Sequence, residues 1–284
     1  TVMRDGYAIS SKPTRETNME QVVRDMVGRS ITEYYPGRTN EPGEIVLEVK
    51  NFCQEGLFNN ISFKLRKGEI LGVAGLMGAG RTEIMRALFG VDSCKHGEVY
   101  LHGKKVCIKK PEDAIKAGIG FITENRKSEG LILDFSISRN IALPSVDTFA
   151  KRSVINAKSE TAFSEALSKK LGVKTASIDL EAGALSGGNQ QKVVIAKWIG
   201  MNPSIIIMDE PTRGIDVGAK RDIYDLMNEL TSQGVAIIMV SSELPEVIGM
   251  SDRILVIHEG KIAGELDHEE ATQEKIITLA TGGQ

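Results

Sequence analysis

Beyond residue 44 the chain alternates apolar and polar positions in two rhythms. Residues 44–52 and 60–65 alternate with period two, which predicts half-buried antiparallel strands near the N-terminus. Residues 69–74 are mostly apolar and run into glycines, as a strand covered on both faces does. A helix is expected at 81–89, a strand at 98–101, a helix at 111–117 and a strand at 119–123. Residues from about 125 to 192 read as mostly helical, including 160–171. Strand and helix then alternate: strands at 205–208, 235–240 and 253–257, helices at 217–230 and 243–249. Ile223, Leu226, Met227 and Leu230 form an i, i+3, i+4, i+7 face suited to packing on a sheet. The pattern predicts an α/β fold with a mainly parallel sheet covered on both faces.

Part of this pattern occurs twice. Val2-Met-Arg-Asp-Gly6 aligns with Val256-Ile-His-Glu-Gly260, and Asn18-Met-Glu-Gln-Val-Val23 with Thr272-Gln-Glu-Lys-Ile-Ile277, both at an offset of 254 residues. Residues 1–28 are therefore expected to be the C-terminal remnant of a preceding copy, residues 29–43 a linker rich in turn formers, and residues 44–284 the main domain.

Composition narrows the picture further. The chain has 284 residues, 41% of them hydrophobic, enough for one large or two modest cores. A net charge of −3 argues against a nucleic-acid partner, which favours a basic stripe. Cys53, Cys94 and Cys107 lack metal-ligand spacing and read as reduced thiols of an intracellular protein. No apolar run approaches the roughly 18 residues that a spanning helix needs.

Three stretches carry chemistry. Gly75-Leu-Met-Gly-Ala-Gly-Arg-Thr82 follows a strand and opens a helix, so its backbone N–H groups can surround a polyphosphate. Leu185-Ser-Gly-Gly-Asn-Gln-Gln-Lys192 is a second glycine turn opening a helix. Ile205-Ile-Ile-Met-Asp-Glu-Pro211 is an apolar strand ending in adjacent acids, the position of a metal–phosphate site in an open α/β sheet.

In this order the three resemble the Walker A, signature and Walker B motifs of ATP-binding cassette (ABC) ATPases. The resemblance covers nearly all of residues 44–284. It is most specific in Glu210-Pro-Thr-Arg-Gly-Ile-Asp-Val-Gly-Ala-Lys220 and Val240-Ser-Ser-Glu-Leu-Pro-Glu246, which are similar to the C-terminal cassette of fused ribose- and galactose-type importer ATPases. It implies a P-loop cassette: a RecA-like, mainly parallel core, an antiparallel β layer, and a helical subdomain at about 125–192.

The resemblance also implies roles. Gly75, Gly78, Ala79, Gly80, Arg81 and Thr82 would hold the phosphates of ATP; Thr82, Asp209 and Glu124 would ligate Mg²⁺; and Glu210 would polarise the attacking water. Ser186, Gly187, Gly188 and Asn189 would grip the γ-phosphate bound by another cassette. Asp216 matches the D-loop aspartate and equally suits an N-cap for the helix after it. Four positions depart from the family pattern: Arg81 replaces lysine, Glu83 a second hydroxyl, Glu124 the Q-loop glutamine and Ser242 the switch histidine. Arginine is a broad planar fork where lysine is a compact point charge, so the first change is not conservative. Ser242 could instead help to cap the helix near Glu243. Phe52 and Phe58 are the nearest aromatics for adenine, although both read as core.

The implied partners are an N-terminal cassette of the same chain, membrane permease subunits at the cytoplasmic face of the bacterial cell membrane, and, indirectly, an extracytoplasmic sugar-binding protein. The implied function is the second ATP-binding half of a monosaccharide importer, with a degenerate site of its own. The alternative is a non-hydrolytic regulatory cassette.

Overall fold

The computed structural model describes the chain except residues 5–6, 19–20, 23–24, 26–34, 39, 152–153 and 284. Its N-terminal strands β1 (Val2–Arg4) and β2 (Tyr7–Ser10) form a separate antiparallel hairpin. Next come β3 (Ile45–Gln54), β4 (Phe58–Arg66), β5 (Ile70–Gly75), α1 (Arg81–Phe89), β6 (His96–Leu101), β7 (Lys104–Val106), α2 (Pro111–Lys116) and β8 (Ile119–Ile122). The helical subdomain holds α3 (Ile137–Ala142), a small hairpin of β9 (Ala150–Lys151) and β10 (Val154–Ile155), α4 (Ala157–Lys170) and the start of α5 (Gly187–Ile199). The chain closes with β11 (Ile205–Asp209), α6 (Val217–Ser232), β12 (Ala236–Val240), α7 (Leu244–Met250), β13 (Arg253–His258), β14 (Lys261–Asp267) and α8 (Gln273–Ala280).

Six strands make the main sheet in the order β14-β13-β5-β12-β11-β8. All neighbours are parallel except the antiparallel edge pair β13–β14. Every residue of β11 and β12 is buried, as their unbroken apolar sequence requires. A four-stranded antiparallel sheet, β4-β3-β6-β7, forms the second layer, with Val49, Ile61 and Leu65 in its buried face. Ile223, Met227 and Leu230 are buried on α6, the face that the sequence spacing marks. No described helix is long and apolar enough to cross a membrane.

Two details add to the sequence reading. The stretch at 125–192 is mostly helical, as expected, and is interrupted by the β9–β10 hairpin and by an irregular segment after Gly172 (φ 60°), which follows the end of α4. Asn156 accepts a hydrogen bond from the Ser159 amide at 3.3 Å and thereby starts α4 at Ala157, three residues before the expected 160–171 helix. The described part of the expected linker is docked on the main domain. Tyr35 lies 5.3 Å from Tyr224, ring centroid to centroid, and a methyl group at Gly249 would come within 2.4 Å of Tyr35.

Arg38 anchors the same segment. Its Nε and Nη2 donate to the two Asp252 oxygens at 2.9 and 2.7 Å, and Nη2 also donates to Gly68 O at 2.8 Å. Nη1 donates to Asn228 Oδ1 at 2.9 Å and Thr231 Oγ1 at 2.7 Å. The guanidinium thus uses its whole donor set on one patch at the amino edge of the sheet. Asp252 also accepts from the Ile70 amide at 2.8 Å, which ties the patch to the first residue of β5.

Removing one partner of a buried ion pair strands the other charge, at a typical cost of about 3–5 kcal/mol. Arg38 and Asp252 are half-buried, so Arg38→Ala is expected to lower the stability of the chain by less than that, about 1–3 kcal/mol, in urea unfolding. Arg38→Lys should recover less than half of that loss, because an ammonium cannot serve acceptors spread around a planar fork. An unfolding midpoint unchanged in Arg38→Ala would show the segment to be merely resting on the sheet.

Candidate functional site

The carboxyl ends of β5, β8, β11 and β12 converge on one edge because the strands are parallel and in register. Asp209 pairs with Val240, Val240 with Val73, and Met208 with Ile122. Residues that leave these strands therefore enter a common space: Gly75 onward, Glu124, Glu210 and Ser242. A cleft of about 360 Å³ opens there, lined by Met77 to Glu83, Glu124, Glu210, Arg213, Ser242 and Glu243. A larger cleft of about 840 Å³ lies between the antiparallel layer and the amino edge of the sheet, and none of the motif residues lines it.

The phosphate loop takes its shape from two left-handed glycines, Gly78 (φ 77°) and Gly80 (φ 100°). Gly80 is the N-cap of α1 and has no side chain to cover the free amides of the first turn. The Gly260 amide donates to Ala79 O at 2.8 Å, which pins the loop to the β13–β14 turn. Those free N–H groups and the helix dipole favour an anion at this place.

Buried acids face the loop. Asp209 is 1% exposed, and neither of its carboxylate oxygens has a hydrogen-bond partner. Burial pushes its pKa up to about 6, against the smaller opposing influence of the Thr82 hydroxyl and Arg81. Glu210 is also shifted upward by burial, with the Ser242 hydroxyl and Arg81 pulling the other way. The backbone of Glu210 is left-handed (φ 49°), a conformation that a non-glycine residue keeps only under constraint. Ser242 Oγ donates to Glu210 Oε2 at 3.2 Å, so Ser242 faces the acid; Ser241 Oγ, not Ser242, accepts from the Glu243 amide at the helix start.

Arg81 turns toward the protein: Nη1 donates to Ser241 O at 2.7 Å and Nη2 lies 3.9 Å from Glu210 Oε1. Glu124 forms an ion pair with Arg213, and Glu83 lies in the first turn of α1 while also lining the cleft. Arg213 had no place in the sequence reading. Its only signal there was its position three residues after Glu210. Arg126 was missed as well; it donates to Arg213 O at 2.8 Å and Gly214 O at 3.1 Å, tying the helical subdomain to the loop after the acid pair.

The second glycine turn lines a different cleft of about 410 Å³, together with Lys174, Lys192, Asp216 and Asp222. Asn189 Nδ2 donates to Ser186 Oγ at 3.0 Å and Asn189 Oδ1 accepts from the Lys174 amide at 2.8 Å. Ser186 is exposed and Gly188 is buried against Ala219 of α6, where an added methyl group would lie 2.9 Å away. Asp216 caps α6 by accepting from the Ala219 amide at 2.9 Å. Phe52 and Phe58 are each 4% exposed and stack on each other at 5.5 Å, so neither presents a face for a base.

No described group of three or more His, Cys, Asp or Glu side chains could hold a metal by itself. A cation that brings its own ligands is a different matter. The two unpartnered Asp209 oxygens beside Thr82 are hard oxygen donors of the kind that hold Mg²⁺ together with phosphate oxygens.

A family model described as ABC transporter matches residues 58–213. The ribose import ATP-binding protein RbsA of Bacillus licheniformis is 60% identical over 284 residues, which is 100% of this chain and 58% of that protein. The Oceanobacillus iheyensis and Bacillus subtilis proteins of the same name are 62% and 61% identical, and the chain covers 57% and 58% of them. The chain thus spans little more than half the length of these relatives. A crystal structure described as the ADP conformation of an ATP-binding cassette of an ABC transporter matches with a TM-score of 0.70 at 23% identity, covering 84% of this chain and 99% of that one. A dimeric bacterial ABC transporter cassette matches at 0.67 and 22% identity, covering 78% of this chain and 98% of that one. At that identity the likeness establishes the fold alone.

Asp209 is a buried carboxylate with only the Thr82 hydroxyl and the charge of Arg81 to offset its burial, and Asp209→Asn removes the charge at nearly constant volume. In chelator at pH 8 the variant is expected to unfold roughly 3 °C above the parent, measured by thermal unfolding. A variant less stable than the parent would mean that the carboxylate has a structural partner in solution.

Proposed function

The chain belongs to the ABC transporter family, and we propose that it is the second ATP-binding half of an importer ATPase that couples ATP binding and hydrolysis to uptake of a monosaccharide. Its relatives are named for ribose import, which supports a pentose as cargo. The observation that carries the reading is the convergence of the phosphate loop, Asp209, Glu210 and Ser242 on one cleft at the carboxyl edge of the sheet. In this reading residues 75–82 cradle the phosphates, Thr82, Asp209 and Glu124 hold Mg²⁺, and Glu210 orients water and accepts its proton. Bound Mg²⁺ supplies Lewis-acid neutralisation of the phosphate charge. Glu124 first has to leave Arg213, and the freed guanidinium then becomes available to the nucleotide.

Ser186, Gly187, Gly188, Asn189 and Asp216 complete a site whose phosphates lie on an N-terminal cassette of the same polypeptide. Residues 1–28 support that arrangement. The β1–β2 hairpin and the 3₁₀ turn Thr14–Glu16 sit 254 residues before the β13–β14 hairpin and the 3₁₀ turn His268–Glu270, and the helix expected at 18–23 lies partly outside the described residues. Permease subunits at the cytoplasmic membrane face and an extracytoplasmic sugar-binding protein would be the remaining partners.

One observation favours the second reading, a regulatory cassette with little turnover. Arg81 is committed to Ser241 O and stands beside Glu210, so the position that lysine fills in the family binds the protein's own carbonyl. Both readings make this site the weaker of two. In the complete transporter, Ser186→Arg is therefore expected to reduce transport more than Arg81→Ala, measured at matched expression. Equal losses would assign the two sites equal weight.

For the chain alone, ATP turnover should be close to background, since one missing transition-state contact costs about 10²–10³ in rate. Arg81→Lys combined with Ser242→His should raise turnover at concentrations where the chain self-associates. Robust Glu210-dependent hydrolysis by the unmodified chain would refute the degenerate-site reading.

A further inference from the structure

Glu246 lies in the first turn of α7 and is 1% exposed. Its carboxylate is the meeting point of three hydroxyls. Oε1 accepts from Thr212 Oγ1 at 2.6 Å and from Tyr224 OH at 2.9 Å, and Oε2 accepts from Ser241 Oγ. The donors come from the loop after the acid pair, from α6 and from the loop leaving β12. Thr212 is 1% exposed and Tyr224 and Ser241 are 0% exposed, so the cluster is sealed from water. A buried carboxylate held by hydroxyls is costly unless each hydrogen bond is kept.

Two of the three links, through Ser241 and Thr212, continue into the site. Ser241 Oγ accepts from the Glu243 amide at 3.0 Å, which leaves its own proton for Glu246. Ser241 O accepts from Arg81 at 2.7 Å, and the neighbouring Ser242 donates to Glu210 at 3.2 Å. Thr212 stands two residues after Glu210, whose left-handed backbone has to be held by its surroundings. We infer that Glu246 is a positioning residue of the nucleotide site: by fixing Thr212 and Ser241 from behind, it sets where Glu210, Ser242 and Arg81 stand. This rests on reading the site as one for ATP.

Glutamine at 246 keeps the volume but offers one acceptor oxygen where two are used, and turns N–H donors toward hydroxyl donors. The test compares Glu246→Gln and Ser241→Ala with the parent chain by thermal unfolding, amide hydrogen exchange without nucleotide, and calorimetric Mg-ATP binding. Glu246→Gln is expected to speed exchange of the Glu243 and Arg213 amides about tenfold, leave β11 and β12 unchanged, and weaken Mg-ATP about tenfold. Ser241→Ala, which leaves Glu246 two of its donors, should reproduce the Glu243 effect and serves as the deciding variant if Glu246→Gln does not fold. A lowered melting temperature with parental loop exchange and parental Mg-ATP affinity would make Glu246 a structural residue only and overturn the inference. A parent chain that binds no Mg-ATP would overturn the ATP reading instead, and the exchange rates would still decide whether Glu246 fixes the loops.

Discussion

Two equally buried acids at opposite edges of the main sheet, Glu69 and Asp209, are treated in opposite ways, and that asymmetry separates scaffold from site. At the amino edge, Glu69 accepts from Arg253 Nε at 2.9 Å and from the Arg66 amide at 2.5 Å, and Asp252 is gripped by Arg38. Both acids lie at the start of β5 or beside it, so the strand enters the sheet between two neutralised charges. At the carboxyl edge, Asp209 is as buried as Glu69, yet only the Thr82 hydroxyl and the charge of Arg81 stand near it and no well-formed hydrogen bond reaches either oxygen. A fold does not leave a carboxylate in that state unless something else completes it. Parallel register makes the contrast possible, because it puts the starts of β5 and β13 on one side and the ends of β5, β11 and β12 on the other.

Arg81 is where the completion is unusual. The guanidinium reaches past the phosphate loop to Ser241 O and the vicinity of Glu210, a reach that suits a long planar fork and not a short ammonium. Its charge lowers the pKa of Asp209 and Glu210, though burial still wins for both. A triphosphate arriving at the loop would compete for this arginine with a carbonyl that Glu246 indirectly holds in place. The strength of the site is then set behind the cleft as much as inside it.

Much of the fold was legible because parallel strands buried on both faces leave apolar runs, and β11 and β12 are such runs. The phosphate loop, the acid pair and the second glycine turn were legible for a related reason: backbone N–H groups and strand-end acids need particular residues at fixed spacing. What escaped is long-range. Glu246 follows a proline in the first turn of a short helix, where an acid usually faces water; Tyr224, 22 residues earlier, seals it. Arg38 sits among turn formers that say nothing about Asp252, 214 residues away. Arg213 and Arg126 gain meaning only when two loops meet.

The phosphate loop and the second glycine turn line clefts that share no residue. Both present helix N-termini that suit an anion, but the first also has Asp209 and Glu210 behind it, the acids that the proposed reading gives to metal and water. A turn with Ser186 exposed, Gly188 packed closely on Ala219, and Asn189 bridging Ser186 to the Lys174 amide is preorganised by its own contacts. Preorganisation of that kind gains its value when a second surface brings the phosphate to it. On the proposed reading the second glycine turn would serve a nucleotide held by another cassette, which would leave the chain's own phosphate loop free to carry arginine.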